Sequence, residues 1–248
     1  MVSATITGPS ADSFGDTSLV DQDLDGDGVV DLWVGAFTTN GSASDTGAAY
    51  FFEGPFTSGS TADADGSVSG TVRYMDLGYN LQVGDLNGDG TPDMMAGAKL
   101  DVSGTAAGEW FGWTGPLSSD VLATDADVRV AGADASIALG THIPAVADLD
   151  ADGLDDLAFS SNAADGGGSS RGEVWVFYGN FAGALDLADA ATDGAHMQGD
   201  NDTDWLGNRV SLGADLNGNG VAELLVAAHG LGWAGSATSG VFYLLDVE

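Results

Sequence analysis

The chain has 248 residues, of which 44% are hydrophobic, so it can bury the core of one well-packed domain or of two small ones. Its 38 acidic and 5 basic residues give a net charge of −33, which makes nucleic acids and anionic membranes poor partners and cations natural ones. The absence of cysteine excludes disulfides, thiolate zinc sites and cysteine nucleophiles, and no apolar run approaches the ~20 residues of a membrane span.

The first recognisable element of the chain is a short β-like segment, SATITG, within the opening ten residues. This opening contains neither the basic nor the apolar part of a secretory signal. We therefore expect a domain of a longer secreted protein, with no signal peptide in this chain.

An acidic motif then appears four times, at intervals of 62 to 67 residues. Its copies are DLDGDGVVD from Asp23, DLNGDGTPD from Asp85, DLDADGLDD from Asp148 and DLNGNGVAE from Asp215. A bulky residue followed by glycine precedes each copy, as Phe14-Gly15, Leu77-Gly78, Leu139-Gly140 and Leu206-Gly207. A period of this length indicates a repeat architecture.

Each repeat predicts four β-strands, numbered one to four from the bulky-glycine pair. Strand two is the apolar run that follows the motif: DLWVGA, DMMAGA, DLAFSS or ELLVAA. Strand three is aromatic: AAYFFEG, EWFGWTG, EVWVFYG or GVFYLLD. Strand four is TVRYMD, DVRVAG or AHMQGD in the first three repeats. Four-stranded units of this kind favour the blades of a β-propeller, in which neighbouring blades cover both faces of each sheet.

The two ends of the chain complement each other in strand count. SATITG has the character of a strand four, whereas the last repeat ends after its strand three. We therefore predict one all-β domain, residues 1–248, in which the N-terminal strand pairs into the last blade and closes a four-bladed ring. The blades would be 9–75, 76–132, 133–200 and 201–248 plus 1–8. Four blades cut from a larger ring, or two chains that form an eight-bladed ring, are the alternatives.

The acidic motif has the chemistry of a calcium-binding loop. Oxygen side chains alternate at positions 1, 3, 5 and 9, glycine at position 6 permits a sharp turn, and a backbone carbonyl is available at position 7. An EF-hand would need a glutamate at position 12, where this chain has Val34, Ala96, Phe159 and Val226. Magnesium, zinc and copper fit less well, because the loops are rich in carboxylates and lack cysteine and histidine.

The predicted side-chain ligands are the residues at positions 1, 3, 5 and 9 of each loop. They are Asp23, Asp25, Asp27 and Asp31; Asp85, Asn87, Asp89 and Asp93; Asp148, Asp150, Asp152 and Asp156; and Asp215, Asn217, Asn219 and Glu223. The fourth loop carries only two formal charges, so we expect the weakest site there. Three to four calcium ions per chain are expected.

These residues resemble the FG-GAP repeat of the integrin α-subunit β-propeller. The resemblance rests on Phe14-Gly15, on GDLNGDGTPD at 84–93, on VGA at 34–36 and on VWVFYG at 174–179. It implies calcium loops in which the position-7 carbonyls of Val29, Thr91, Leu154 and Val221 also bind the ion. The final proline of the repeat's name is missing in all four copies, and the family's ring normally has seven blades.

The predicted strand order places the calcium loops on one face of the ring, and the loops that join strands two to three and strands four to one on the other. A partner would bind that opposite face, which includes 37–47, 99–108, 160–172 and 229–240, with Trp205 and Trp233 as aromatic candidates. The integrin-like interpretation is an extracellular, calcium-stabilised adhesion or protein-interaction module with an unknown protein or glycan ligand, no nucleic acid and no membrane insertion.

A calcium-dependent lectin is the alternative function, because propellers of similar repeats bind sugars on aromatic residues. We predict no enzyme: the chain has no G-x-S-x-G nucleophile elbow, and its three histidines fall on different types of strand. GLGWAG at 230–235 matches the dinucleotide-binding pattern, but it leads into a strand-like segment instead of a helix, so no cofactor other than calcium is predicted.

Overall fold

A computed structural model of the protein describes residues 4–9, 12–16, 19–165, 167–187, 190, 194–212, 215–230 and 241–245. Within these ranges the chain forms nineteen β-strands and three short 3-10 helices, so the predicted all-β class is confirmed. Its helices there are too short and too polar to cross a bilayer.

Four sheets, which we call blades one to four, follow one another along the chain. Blade one contains β2 (Leu19–Gln22), β3 (Asp31–Ala36), β4 (Ala48–Phe52) and β6 (Gly66–Ser69). Blade two contains β7 (Asn80–Gly84), β8 (Asp93–Ala98), β9 (Glu109–Trp113) and β11 (Val128–Ala131). Blade three contains β12 (Ala145–Ala147), β13 (Asp156–Ser161), β14 (Glu173–Phe177) and β16 (Ala195–Gln198). Blade four contains β17 (Leu206–Leu212), β18 (Leu224–Ala228) and β19 (Val241–Leu245).

The predicted strands one to three are present in every repeat, and each pairs with its neighbour in antiparallel fashion. Strand four of the first repeat was predicted wrongly: TVRYMD is not a strand, and β6 lies a few residues before it. Tyr74 and Asp76 have φ angles of 61° and 53°, a left-handed conformation that interrupts an extended chain. The strand that pairs with β4 is β6, which contains the fully buried Val68.

In each of the first three blades, the connection between strands three and four also contains a short strand, paired in parallel, that the sequence analysis missed. β10 (Asp120–Leu122) pairs with β6 of blade one, and β15 (Gly183–Asp186) pairs with β11 of blade two. β5 (Gly59–Ser60) is the equivalent strand in the first repeat. The 3-10 helices η1 (Thr61–Asp63) and η2 (Ala123–Asp125) follow β5 and β10 directly, and their similar sequences, TADAD and ATDAD, are the signal that could have located these strands.

Neighbouring blades pack through large apolar side chains. Trp33 of blade one is fully buried among residues of blade two, including Met94 and Phe111, and its indole nitrogen donates to the Met95 carbonyl at 3.2 Å. Equivalent clusters join blade two to blade three and blade three to blade four. Both faces of the inner blades are therefore covered, which explains their nearly continuous apolar strands.

In blades two to four, the glycine of the bulky-glycine pair lies in close contact with the preceding blade. A Cβ at Gly78 would lie 2.3 Å from the Ala48 carbonyl oxygen of blade one, and a Cβ at Gly140 would lie 2.0 Å from the Ala98 carbonyl oxygen of blade two. Contacts this short exclude any side chain. In blades two to four the motif therefore attaches each blade to the blade before it.

The predicted pairing of the N-terminal strand with the last blade is not confirmed by the structure. β1 (Ile6–Thr7) pairs in parallel with β5, and among the described residues β19 pairs only with β18. Extensive contacts between described elements run from each blade to the next and do not join blade four to blade one. The described residues therefore contain no strand pairing that closes the ring.

Candidate metal centres

The four acidic loops join strand one to strand two of their blades and have nearly the same internal hydrogen bonds. In loop one the carboxylate of Asp23 accepts the N–H groups of Gly26 at 2.8 Å and Gly28 at 2.9 Å. Asp85 accepts the equivalent pair in loop two, and Asp215 does so in loop four. The first carboxylate therefore folds the loop around itself.

The oxygens at positions 3 and 5 are held by the backbone of the same loop. In loop one Asp25 accepts the N–H of Asp27 at 3.0 Å, and Asp27 accepts the N–H of Val29 at 2.7 Å. Loop four keeps this arrangement with the amide oxygens of Asn217 and Asn219, each 2.8 Å from its donor. Replacement of carboxylates by asparagine therefore changes the charge of the fourth loop but not its shape.

The carboxylate at position 9 is buried and attaches the loop to the sheet. Asp31, Asp93, Asp156 and Glu223 are each no more than 1% exposed. One oxygen of each accepts the N–H of the residue at position 2, at 2.6 to 2.7 Å. The other oxygen accepts an N–H from the end of strand three in the first three loops, at 2.6 to 2.9 Å. The Glu223 Oε1 atom has no hydrogen-bond donor among the described residues.

Burial of these position-9 carboxylates changes their acidity. Burial raises the pKa of Asp156 to about 6, and the nearby Asp150 and Asp148 carboxylates raise it further, against the opposing effect of two backbone N–H donors. Burial raises the pKa of Asp93 as well. The hydrogen bond from the Thr91 N–H lowers the pKa of the exposed Asp89. Negative charge at the loops is thus costly at their buried end, where a cation would relieve it.

Two of the loops bring three carboxylates together. One oxygen from each of Asp23, Asp25 and Asp27 lies within 4.8 Å of the others, and loop three does the same with Asp148, Asp150 and Asp156. Loops two and four have asparagine at position 3, and no comparable group of three carboxylates occurs there among the described residues. Oxygen ligands without nitrogen or sulfur suit a hard divalent cation.

Loops two and three touch each other, in part through Asp155, which the sequence analysis did not select. The Asp85 N–H donates to the carboxylate of Asp155 at 2.8 Å, and a Cβ at Gly88 would lie 2.4 Å from Leu154 Cδ2. Only loop three has an acidic residue at position 8, and this irregularity is the signal that could have identified Asp155. Each of these two loops therefore helps to hold the other in place.

The scarce cations on the opposite side are paired within the protein. Lys99 binds Asp76 at 2.8 Å and lies 4.2 Å from the centre of the Tyr79 ring. Arg171 binds Asp202 at 3.1 Å. The Trp205 ring stacks on His229 with a centroid distance of 4.4 Å, so it packs within the protein. Trp233, GLGWAG from its second residue onward and most of 229–240 lie outside the described residues.

The first strands of blades two, three and four border a cavity of about 790 Å³ that the sequence analysis missed. Its lining includes Gln82, His142, Asn208 and Arg209 but none of the 38 acidic residues. Burial lowers the pKa of His142, and the positive charge of Arg209 lowers it further, so the imidazole is neutral at pH 7. The cavity differs from the rest of this acidic protein in being polar without carboxylates.

Comparisons with known proteins agree with the repeat pattern. The family profile described as FG-GAP repeat matches residues 141–177. Integrin alpha-5 of Xenopus laevis is 30% identical over 169 residues, which is 66% of this chain and 16% of that protein. Integrin alpha-IIb of Homo sapiens is 29% identical over 160 residues, or 62% of this chain and 15% of that protein.

A second group of relatives is named as enzymes. Phosphatidylinositol-glycan-specific phospholipase D of Dictyostelium discoideum is 27% identical over 240 residues, which is 84% of this chain and 24% of that protein. The chain therefore spans between 15% and 24% of the length of these three relatives. The repeat match and the integrin relatives at about 30% identity identify the chain as an integrin-like FG-GAP repeat protein.

Proposed function

We propose that the chain is a calcium-stabilised, extracellular propeller domain, residues 1–248, that acts as an adhesion or protein-interaction module and has no catalytic activity. The observation that carries this proposal is the fourfold repetition of one acidic loop at the same end of each blade. Four copies of a loop that concentrates negative charge at a buried end are explained by a cation that all of them bind.

Calcium fits the donor set better than other biological cations. Each loop offers side-chain oxygens at positions 1, 3, 5 and 9, and the position-7 carbonyls of Val29, Thr91, Leu154 and Val221 complete the proposed ligand set. Calcium accepts six to eight oxygens in flexible geometry, whereas magnesium keeps several waters and requires a regular octahedron. We propose one ion per loop, with the weakest binding at loop four, where two of the side-chain donors are neutral amides.

The loops between strands two and three vary from blade to blade, and this variation supports a binding role. The calcium loops and strands recur in each blade, whereas the loops between strands two and three differ in length and composition. Variable loops on a rigid scaffold are where binding specificity usually resides. The integrin relatives support an adhesion role, and millimolar extracellular calcium would fill loops of this kind. We therefore place the ligand on the face opposite the calcium loops.

The test is a binding screen of the purified protein against extracellular-matrix and cell-surface proteins, with millimolar calcium and with chelator. We expect calcium-dependent capture of at least one protein. Arginines at exposed positions Ser42 and Ala106, in two loops between strands two and three, should weaken it about tenfold. The matched variant carries arginines at exposed positions Thr57 and Ser118, on the calcium-loop side, and should bind normally. Equal loss in both variants, or no capture at all, would contradict the proposal.

Carbohydrate binding is a second candidate, and the carboxylate-free cavity favours it. Amide groups of Gln82 and Asn208, the neutral His142 and the Arg209 guanidinium offer donors and acceptors suited to sugar hydroxyls. A glycan array with the wild-type protein and with Arg209→Ala tests this alternative. A coherent sugar motif that Arg209→Ala loses would support a lectin, and a blank array from folded protein would exclude it.

A further inference from the structure

Loop three extends two side chains onto loop two. Asp155, at position 8 of loop three, accepts the N–H of Asp85 at 2.8 Å with one carboxylate oxygen. Leu154, at position 7, covers Gly88, where an added Cβ would lie 2.4 Å from Leu154 Cδ2. Both residues are half-buried, although residues 150–153 of the same loop are exposed. We call Leu154 and Asp155 the bridge between the two loops.

The bridge holds the part of loop two that contains the first proposed ligand. The Asp85 carboxylate accepts the N–H groups of Gly88 and Gly90, both at 2.7 Å. Asp155 holds the backbone of Asp85, and Leu154 packs on Gly88. Blade three therefore restrains both partners of the hydrogen bond that folds loop two around its first carboxylate.

The bridge is in turn held by the residues that form the proposed site in loop three. The Leu154 N–H donates to the Asp152 carboxylate at 2.8 Å, and the Leu154 carbonyl is the proposed ligand at position 7. Asp155 is followed directly by Asp156, whose buried carboxylate accepts two backbone N–H groups at 2.6 and 2.8 Å. A cation held by the ligands at positions 7 and 9 would fix the backbone on both sides of Asp155.

The junction between loops one and two lacks such a bridge among the described residues. Position 8 of loop two is Pro92, whose side chain cannot accept a hydrogen bond, and position 7 is the smaller Thr91. A Cβ at Gly26, the equivalent of Gly88 in loop one, would meet nothing within 4 Å. Blades one and two are nevertheless packed together through a shared core. The chain thus contains one bridged and one unbridged junction between neighbouring loops.

Asp155 also adds charge at the junction without being a proposed ligand of either loop. Its carboxylate is one hydrogen bond from the first residue of loop two, and in the chain it immediately precedes the position-9 ligand of loop three. Cations in the two loops would repel each other, and a carboxylate at the junction offsets part of that repulsion. Without cations, the same carboxylate adds to the repulsion among the acidic residues of both loops.

We propose that the bridge makes loops two and three bind calcium cooperatively, whereas loop one binds its ion independently of loop two. This inference rests on the proposed calcium sites and adds a coupling between two of them. An ion in loop three fixes the bridge, and the fixed bridge holds Asp85 and Gly88 in place, so loop two loses less conformational entropy when its own ion binds. Linkage makes the effect reciprocal, so an ion in loop two strengthens binding in loop three by the same factor.

Amide hydrogen exchange followed by mass spectrometry, at a series of free calcium concentrations, measures each loop separately in one protein. The measured quantity is the calcium concentration at which a loop reaches half of its protection. Asp148→Ala combined with Asp150→Ala disables loop three and should raise this midpoint for loop two by at least about fivefold. The matched variant, Asp23→Ala combined with Asp25→Ala, disables loop one and should change the midpoint of loop two by less than about twofold. Exchange in β13 and β14 shows that blade three remains folded.

Variants of the bridge separate the coupling from calcium binding itself. Leu154→Ala combined with Asp155→Ala keeps every proposed ligand, because Leu154 contributes only its backbone carbonyl. It should raise the midpoints of both loops, and in this background the loss of loop three should no longer shift loop two. Asp155→Asn keeps an oxygen acceptor for the Asp85 N–H and should retain part of the coupling. Asp16→Ala removes an exposed carboxylate outside the acidic loops and should retain all of it.

The possible results distinguish the coupling from the calcium sites on which it rests. Absence of calcium-dependent protection in every loop of the folded protein would refute the sites and the coupling together. Protection of loop two at the same calcium concentration with and without a working loop three would refute the coupling alone. A shift of loop two that persists without the bridge, or an equal shift when loop one is disabled, would also overturn the proposal.

Discussion

Removal of calcium should strongly destabilise the protein. At an ion concentration about tenfold above the dissociation constant, each occupied loop adds on the order of 1.4 kcal/mol to the native state. Four loops then contribute about 5 kcal/mol, a large fraction of the ~5 to 15 kcal/mol of an ordinary domain. Since 1 kcal/mol shifts the melting temperature of a chain of this size by about 2 to 4 °C, chelation should lower it by more than 10 °C.

Thermal unfolding followed by circular dichroism measures this shift in millimolar calcium and in chelator at low salt. Added magnesium should recover only a small part of the stability, because it dehydrates reluctantly and requires stricter geometry. Raising the salt concentration in chelator controls for simple screening of the net charge of −33. An unchanged melting curve in chelator, or full recovery by salt alone, would refute the structural role of calcium.

Three further predictions concern single positions. Arg129→Met leaves the buried Glu109 carboxylate without the guanidinium 2.6 Å away, so urea unfolding should show a loss of about 2 to 3 kcal/mol, much of which Glu109→Gln restores in the double variant. Because the pKa of Asp156 is raised to about 6, its protonation stabilises the metal-free protein; this contribution is complete below about pH 4 and is lost as the pH rises through about 6. In chelator, the free energy of unfolding should therefore be about 1 kcal/mol larger at pH 5 than at pH 7, and the difference should be smaller in Asp156→Asn. Gly140→Ala forces a Cβ to within 2.0 Å of the Ala98 carbonyl oxygen and should cost about 3 kcal/mol in the same urea assay; a loss below 0.5 kcal/mol would show that the blades are not in close contact there.

Much of the fold could be predicted because the same strand pattern occurs four times in the chain. Period, turn glycines and apolar runs located strands one to three in every blade. The errors arise where local pattern and tertiary context disagree. TVRYMD alternates like a strand, but left-handed residues interrupt it, while the weakly apolar GSVS forms β6 because β4 and β10 pair with it on both sides. Only the assembled sheet supplies those partners.

The loops were easier to predict than the interfaces between blades. The spacing of acidic residues predicts which side chains face inward, and the hydrogen bonds at Asp23 and Asp31 follow that spacing. No local signal predicted that Asp155 would reach Asp85, 70 residues away, or that Arg209 would line a cavity without carboxylates. The predicted ring closure is not confirmed, and strand count alone could not establish it, because it does not determine how far successive blades turn.

Calcium stoichiometry is the most direct test of the central claim that the four acidic loops are cation sites. Isothermal titration of metal-free protein should find three or four ions per chain, with one fewer in a variant that replaces Asp148 and Asp150 by alanine. Binding of no ion or of a single ion by folded protein, or a full count in that variant, would contradict the assignment of the loops as calcium sites.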